Sequence, residues 1–189
     1  MKQIRTLGAA AALISAVTLS TTAIAQSTKD LVKEDGVYTL VNLHPDEGNR
    51  RLYAVNYQQP GLIPVCTQVK ITKMSRKAII FEIPERNNRK YEYLHYKKLP
   101  ESLDEHGTQI FGKTCPKDAI AKMSKIDQEG IKEGIAKVGM TKAGVLIAMG
   151  PPPSHATYSQ DLDEWMYWQH KFARLRVDFK DGKVSEVVD

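Results

Sequence analysis

Residues 173–184 read ARLRVDFKDGKV. Every second residue from Ala173 to Phe179 is apolar, and the residues between them are charged, which is the period of a β-strand with one buried face. Asp181-Gly182 is a two-residue turn signal, and residues 184–188 can form the returning strand. The stretch therefore predicts a β-hairpin that buries one of its faces.

The segment before this hairpin is predicted to contain one more strand and at least two helical pieces. Trp165–Trp168 is the predicted strand. Apolar residues between positions 120 and 138 recur at mostly helical intervals. Gly130 and Gly134 would each cost roughly 1 kcal/mol relative to Ala inside a helix. Two short helical pieces are therefore favoured over one long helix.

A further helix is predicted over Lys142–Met149. Thr141 is a suitable N-cap, and Gly150 can end the helix in a left-handed turn before a run of three prolines. Gly139 can break the preceding helical piece, and Met140 can fill a gap between helix and sheet.

The order of these features resembles the BamE-like (SmpA/OmlA) domain over about residues 127–188. The residues that carry the resemblance are Gly139, Met140, Thr141, Gly150, Pro151, Trp165, Tyr167, Phe179 and Gly182. The resemblance implies a compact α-α-β-β-β fold, in which helices cover one face of a three-stranded antiparallel sheet. It also implies a non-catalytic role as an accessory in outer-membrane protein assembly or envelope integrity.

The aromatic residues of the predicted strand divide between its two faces. Trp165 and Tyr167 lie two positions apart on one face, and a large aromatic pair there more often fills a core than forms a binding platform. Trp168 lies on the other face, and we expect it to be a contact residue for a partner.

The N-terminal half is predicted to be a small antiparallel β domain. Its candidate strands are residues 37–43, 51–57, 64–74, 78–83 and 90–96, which would suit a closed or nearly closed barrel. Residues 61–71, GLIPVCTQVKI, loosely resemble a strand entry of bacterial SH3-like domains. The predicted fold class is therefore α+β, with an SH3-like barrel at residues 30–99, a linker at 100–117 and a BamE-like domain at 118–189.

Residues 1–25 have the three parts of a secretory signal peptide. Lys2 and Arg5 form a basic head, residues 7–19 are apolar, and small residues at 23 and 25 predict cleavage between Ala25 and Gln26. The first cysteine is Cys66, too far along the chain to carry the lipid of a lipoprotein. We expect an exported periplasmic protein, peripheral to the outer membrane and not a lipoprotein.

The two cysteines, Cys66 and Cys115, are an even number in a compartment that permits oxidation, so one disulfide is expected. The alternative is two separate thiols, one of them buried as a small apolar residue. No catalytic residue, metal site or cofactor is predicted, and enzyme activity is not expected. The five histidines are scattered without metal-ligand spacing, and the chain has no phosphate-binding glycine loop or nucleophile elbow.

Basic residues concentrate in the N-terminal half of a chain whose formal net charge is +5. Lys70, Lys73, Arg76 and Lys77 begin this run and are candidate contacts for an anionic glycan or a lipid head group. The alternative is a solvated strand face that protects a sheet edge from aggregation. Nucleic acid is not expected because the chain is predicted to be exported.

Three functions compete at this point, and the oligomeric state is left open. The first is a binding or scaffold module that contacts an outer-membrane or periplasmic protein through the C-terminal sheet and its loops. The second is a cell-wall or lipopolysaccharide binder that acts through the SH3-like domain. The third is an inhibitor of a periplasmic hydrolase, because the BamE-like fold resembles that of a β-lactamase inhibitor protein.

Overall fold

The computed structural model describes residues 27–189. The predicted signal peptide and its cleavage site at Ala25 and Gln26 lie outside the described residues. The strands of the described chain are β1 (Val37–Thr39), β2 (Arg51–Tyr53), β3 (Gln68–Met74), β4 (Ala78–Ile83), β5 (Arg89–Leu94), β6 (Phe111–Gly112), β7 (Glu164–His170), β8 (Ala173–Lys180) and β9 (Lys183–Val188). Its α-helices are α1 (Leu103–Gly107), α2 (Lys117–Ala121), α3 (Lys125–Glu133) and α4 (Lys142–Met149).

The first six strands form one mixed sheet in the order β2-β5-β4-β3-β1-β6. β2 and β5 run parallel, and the other neighbouring strands are antiparallel. Period-two alternation gives the sheet a buried face, on which Ile71, Ile79, Phe81, Tyr91 and Tyr93 join one hydrophobic core.

The last three strands form an antiparallel sheet in the order β7-β8-β9, packed against the helices. Trp165, Tyr167 and Val177 from the sheet share one core with Met140 and with Val145 of α4. Within residues 27–189, no helix combines the length and the apolarity needed to cross a membrane.

The predicted fold class was wrong. An SH3-like barrel followed by an α-α-β-β-β unit was expected, whereas the described chain is mostly strands, in a six-stranded mixed sheet and a three-stranded sheet, with four short helices. The parallel pairing of β2 with β5 could not be read from local alternation. Left-handed backbone at Asn56 and Cys66 also leaves β2 and β3 shorter than the predicted strands.

Two short helices, α2 and α3, form between residues 117 and 133, although the helical spacing of the apolar residues continues to position 138. Ser124 caps the start of α3, and Gly134 ends it in a left-handed conformation, so the two predicted pieces are divided differently. Residues 100–117, predicted as a linker, contain α1 and β6, and β6 pairs with β1.

Cys66 and Cys115 form a disulfide, which confirms that prediction and excludes two separate thiols. Their Cα atoms lie 5.0 Å apart across a sequence separation of 49. Cys66 comes just before β3 and Cys115 just before α2, so the bond ties the six-stranded sheet to the start of the helical segment.

The C-terminal end of α4 is a second connection between the two sheets. The last four carbonyl groups of a helix have no partners within it, and here most of the donors come from the N-terminal half. The backbone N–H of Asn42 donates to the Ile147 carbonyl at 2.8 Å. The Ala148 carbonyl accepts from Asn42 Nδ2 and from His44 Nε2, each at 3.1 Å. The Met149 carbonyl accepts from Asn56 Nδ2 at 2.7 Å and from Gln58 Nε2 at 3.0 Å. The N-terminal half therefore caps a helix of the C-terminal half.

Candidate functional site

A cleft of about 660 Å³ lies between the loop at residues 58–62 and one end of the three-stranded sheet. Leu175 and Val187 of the sheet, together with Met149 and Ile135, give it an apolar lining. The polar residues of the lining are His44, Gln58, Gln59, Glu133, Gln169, His170 and Asp189. Its volume lies in the range of about 300–1,000 Å³ that is usual for ligand sites.

Gly134 allows the two walls of the cleft to approach each other. It has a φ of +74°, and a Cβ atom placed on it would lie 2.8 Å from Leu62 Cδ1 and 2.9 Å from His44 Cε1. The next residue, Ile135, turns outward and is 47% exposed although it lines the cleft. The end of α3 therefore presents an apolar side chain that is available to a ligand.

Two side-chain amides of the loop carry acceptors that no described residue satisfies. Gln58 Nε2 donates to Met149 O (3.0 Å) and to Asn56 Oδ1 (3.0 Å), which fixes the orientation of that amide. The Oε1 atoms of Gln58 and Gln59 are buried without a hydrogen-bond partner. An unsatisfied buried acceptor costs about 1–3 kcal/mol, so this arrangement of the two amides is locally destabilising.

His44 lies at the back of the cleft and is held neutral by its surroundings. Burial lowers the pKa of His44 below its usual value, and its backbone hydrogen bonds oppose this effect only in part. As a neutral ring, it donates from Nε2 to the Ala148 carbonyl at 3.1 Å. Its role is therefore to position the wall of the cleft.

The ionised groups in the lining of the cleft are mainly acidic. Glu133 pairs with Lys137 at 2.6 Å, and Asp189 accepts a hydrogen bond from Gln169 at 3.0 Å. Lys137 is not part of the lining. The lining contains no Lys or Arg, so the cleft offers an acidic ligand no basic side chain to pair with.

A second polar cluster, the Glu101 network, consists of Tyr93, Glu101, His106 and Ser154. Glu101 accepts from His106 Nδ1 at 3.2 Å and from Ser154 Oγ at 2.6 Å, while His106 Nε2 accepts from the Tyr93 hydroxyl at 2.7 Å. The bond from His106 is the main cause that lowers the pKa of Glu101 to about 2, and burial raises the pKa of Tyr93.

This network does not activate Ser154 as a nucleophile. The Ser154 hydroxyl donates to a carboxylate whose low pKa makes it a poor base, and the imidazole of His106 is engaged by Tyr93 and Glu101. Its chemical effect is to hold the loop after α4 against the six-stranded sheet.

The aromatic residues of β7 lie on opposite faces of the strand. Trp165 and Tyr167 are fully buried, and the Tyr167 hydroxyl donates to the Gly150 carbonyl at 3.0 Å. Trp168 is half-buried and stacks on the His155 ring at 5.4 Å, on the face away from the core. The role of Trp168 as a partner contact stays a prediction.

The remaining residues on which the predicted resemblance to a BamE-like domain rests lie around the helix ends and the final hairpin. Thr141 Oγ1 accepts from Gly144 N at 3.0 Å and so caps α4, while Met140, Pro151 and Phe179 are buried. Positive φ angles occur at Gly139, Gly150 and Gly182.

The predicted basic contacts separate into paired and unpaired residues. Lys70 lies 3.9 Å from an Asp35 carboxylate oxygen. Lys73, Arg76 and Lys77 are exposed around the turn between β3 and β4, and none of them forms a salt bridge within the described residues.

The cleft residues Gln58, Gln59, Leu62 and Ile135 were not predicted from the sequence. Residues 58–63 fall between two candidate strands, and no local pattern distinguishes a turn that lines a cleft from any other turn. Ile135 belongs to the apolar residues with helical spacing between positions 120 and 138, although it lies just beyond the end of α3. The cleft unites segments from both halves of the chain, so only tertiary structure could reveal it.

No protein-family model, no curated protein and no solved structure matches this chain. The described part of the chain also contains no group of three or more His, Cys, Asp or Glu side chains placed to hold a metal ion.

Proposed function

We propose that this chain is an exported, non-enzymatic binding protein whose cleft holds a segment of a partner polypeptide. The observation that carries the proposal is the combination, in one open cleft, of an apolar floor with side-chain amides and carboxylates around it. A polypeptide segment matches both features, because it offers apolar side chains and backbone N–H donors together.

The proposed location is the periplasm, at the outer membrane. The signal-like residues 1–25 support export, and the disulfide between Cys66 and Cys115 fits an oxidising compartment. The BamE-like resemblance supports a role accessory to outer-membrane protein assembly or envelope integrity. N-terminal sequencing of the protein released from the periplasm should start at Gln26, and an intact Met1 in washed membranes would contradict export.

Site-specific crosslinking tests the cleft directly. A photoreactive residue at Ile135, inside the cleft, should crosslink to a discrete protein partner in intact cells. Val138 is a matched control, because it is an aliphatic residue nearby that is 63% exposed and does not line the cleft. Ile135→Asp should abolish recovery of the partner, whereas Val138→Asp should not. Equal crosslinking from both positions would contradict the proposal.

A second candidate function is recognition of an anionic glycan or lipid head group by the unpaired cations Lys73, Arg76 and Lys77. Their exposure on a single hairpin favours it, since clustered charges attract polyanions. The purified protein should then bind lipopolysaccharide in a salt-sensitive manner, and K73E/R76E/K77E should lose that binding. Binding that is unchanged in this triple variant would exclude the hairpin.

A further inference from the structure

The two hairpins of the three-stranded sheet have turns of different chemistry. The turn between β8 and β9 is Asp181-Gly182, and both residues have positive φ angles, as a two-residue hairpin loop prefers. The turn between β7 and β8 is Lys171-Phe172, and neither residue has a positive φ. The strands meet this turn through a register shift between Trp168 and His170. The geometry of the turn therefore does not explain why a phenylalanine stands at its tip.

Phe172 is the most exposed large apolar side chain in the part of the chain that the structure describes. It is 84% exposed. The Nζ atom of Lys171 lies 5.3 Å from the centroid of its ring, and Nδ1 of His170 accepts from its backbone N–H at 3.3 Å. The turn is therefore held from within while the aromatic ring stays in water. Such a ring gains free energy when a partner removes it from water.

The charged residues at this end of the sheet are basic. Residues 165–177 contain three lysines and arginines and no aspartate or glutamate. Lys171 and Arg174 are exposed, and neither forms a salt bridge within residues 27–189. Arg174 is the cross-strand partner of Trp168, so both lie on the outer face of the sheet. Two unpaired cations therefore accompany the exposed ring of Phe172.

The acidic residues of the sheet lie away from this surface. Asp189 accepts a hydrogen bond from Gln169 at 3.0 Å, and both residues line the cleft, on the face opposite Arg174. On the outer face, neighbouring strands bring acidic residues together only towards the other end of the sheet, at Glu164, Asp178 and Glu186. The hairpin end is therefore a protruding basic surface with an aromatic ring at its tip.

We infer that this hairpin end docks on an anionic phospholipid surface: Phe172 inserts among the lipid head groups, and Lys171 and Arg174 pair with lipid phosphates. Aromatic rings favour the membrane interface, and each Lys or Arg near an anionic leaflet adds attraction. A two-residue tip buries too little area for a stable protein–protein interface, whereas a bilayer accepts it without a shaped pocket. The contact does not depend on the guest of the cleft.

Docking at this tip would also orient the cleft. His170 is adjacent to the tip in sequence and belongs to the cleft lining, so the mouth of the cleft would face the region near the lipid surface. One aromatic ring and two cations give weak, reversible binding, as in peripheral attachment.

The test measures co-sedimentation of the full, oxidised protein with lipid vesicles. The protein should bind mixed vesicles of phosphatidylcholine and phosphatidylglycerol, and should bind vesicles of phosphatidylcholine alone roughly tenfold more weakly. Raising the salt concentration should weaken binding to the mixed vesicles, because salt screens the attraction between the cations and the lipid phosphates.

Substitutions at Phe172 test insertion of the ring. Phe172→Ser should weaken binding to mixed vesicles roughly tenfold, whereas Tyr158→Ser, at an aromatic residue that is 81% exposed, should not change it. Phe172→Trp should retain binding. Relative to the parent, its added fluorescence should shift to shorter wavelength with mixed vesicles and be quenched by lipids with brominated acyl chains. Thermal melts check folding, and the tryptophan variant decides the question even if the serine variant fails to fold.

A matched pair of double variants tests the cations. K171Q/R174Q should weaken binding to mixed vesicles roughly tenfold. K180Q/K183Q removes the same charge from an exposed cross-strand pair at the opposite end of the same sheet, and should bind like the parent.

Different results would overturn the inference in different ways. Equal binding to both kinds of vesicle, or emission from Phe172→Trp that mixed vesicles leave unchanged, would refute insertion at an anionic surface. Equal losses in K171Q/R174Q and K180Q/K183Q would mean that overall charge causes the binding. Loss confined to K73E/R76E/K77E would assign lipid binding to the hairpin of β3 and β4. A photoreactive residue at position 172 that crosslinks to one protein, without vesicle binding, would assign the tip to a protein partner.

Discussion

Asp127 is a buried carboxylate whose hydrogen-bond donors belong to the N-caps of two helices. It is 1% exposed and accepts from Ser124 Oγ at 2.7 Å, Thr141 N at 2.7 Å and Thr141 Oγ1 at 3.1 Å. Ser124 caps α3 and Thr141 caps α4, so this one side chain aligns the starts of both helices.

Replacing Asp127 with Ala should lower the free energy of unfolding by about 1–3 kcal/mol, because buried donors lose their acceptor. Urea denaturation measures this change. Asp118→Ala, at an exposed position in α2, is the control and should unfold like the parent. An Asp127→Ala variant as stable as the parent would show that the two helix starts do not depend on this carboxylate.

The two tryptophans of β7 should respond differently to truncation. Trp165 is fully buried, with its ring centroid 4.7 Å from that of Phe179, so Trp165→Ala should cost about 3–5 kcal/mol of unfolding free energy. Trp168 is half-buried on the other face, so Trp168→Ala should cost clearly less. Thermal melts of both variants test this order, and a larger loss at Trp168 would contradict the assigned faces.

At the scale of elements, the Glu101 network makes the junction between the six-stranded sheet and the loop after α4 sensitive to acid. The pKa of Glu101 is lowered from 4.5 to about 2 in the folded chain, mainly by the bond from His106. Ionised Glu101 therefore stabilises the fold above about pH 4.5, and this stabilisation is lost as the pH falls towards 2.

We expect Glu101→Gln to flatten the decline in unfolding free energy between pH 4.5 and about 2, the interval set by this pKa shift. Chemical denaturation at a series of pH values is the measurement. Glu85→Gln, an exposed change beyond β4, should leave the decline unaltered. If the unfolding free energy of Glu101→Gln falls with pH as steeply as that of the parent, other carboxylates cause the loss of stability.

Elements with strong local signals could be predicted from the sequence, whereas their arrangement could not. The helix expected over Lys142–Met149 has those bounds, and the Asp181-Gly182 turn joins β8 to β9. The barrel prediction failed because strand order depends on contacts between distant residues, such as Leu52 with Tyr93 in the parallel pair. The cleft was missed for the same reason, since it joins residues 58–62 with residues 133–136 and the final sheet.

At the scale of the whole molecule, Asn42 should decide whether the two sheets unfold together. Its side-chain nitrogen Nδ2 donates to Ile131 O at 2.6 Å and to Ala148 O at 3.1 Å. Its side-chain oxygen Oδ1 accepts from Val65 N at 2.7 Å. All three partners lose a bond in Asn42→Ala.

Asn42→Ala should therefore lower the free energy of unfolding by about 1–3 kcal/mol and broaden or split a single cooperative transition. Calorimetry measures both effects. Asn49→Ala, in an exposed turn, is the matched control and should retain the shape of the parent transition. A sharp, unshifted transition in Asn42→Ala would show that the Asn42 side chain is not needed to couple the sheets.

The capping of α4 by the N-terminal half also affects the timing of folding during synthesis. Asn42 leaves the ribosome 106 residues before its acceptor Ala148. At about 5–20 residues per second, that separation corresponds to a delay of roughly 5–20 s. During this interval, the donors of the N-terminal half have no helix end to bind, so its loops cannot reach their final state. If the chain is exported as proposed, these capping loops are still unfixed while the secretion machinery engages the N-terminus.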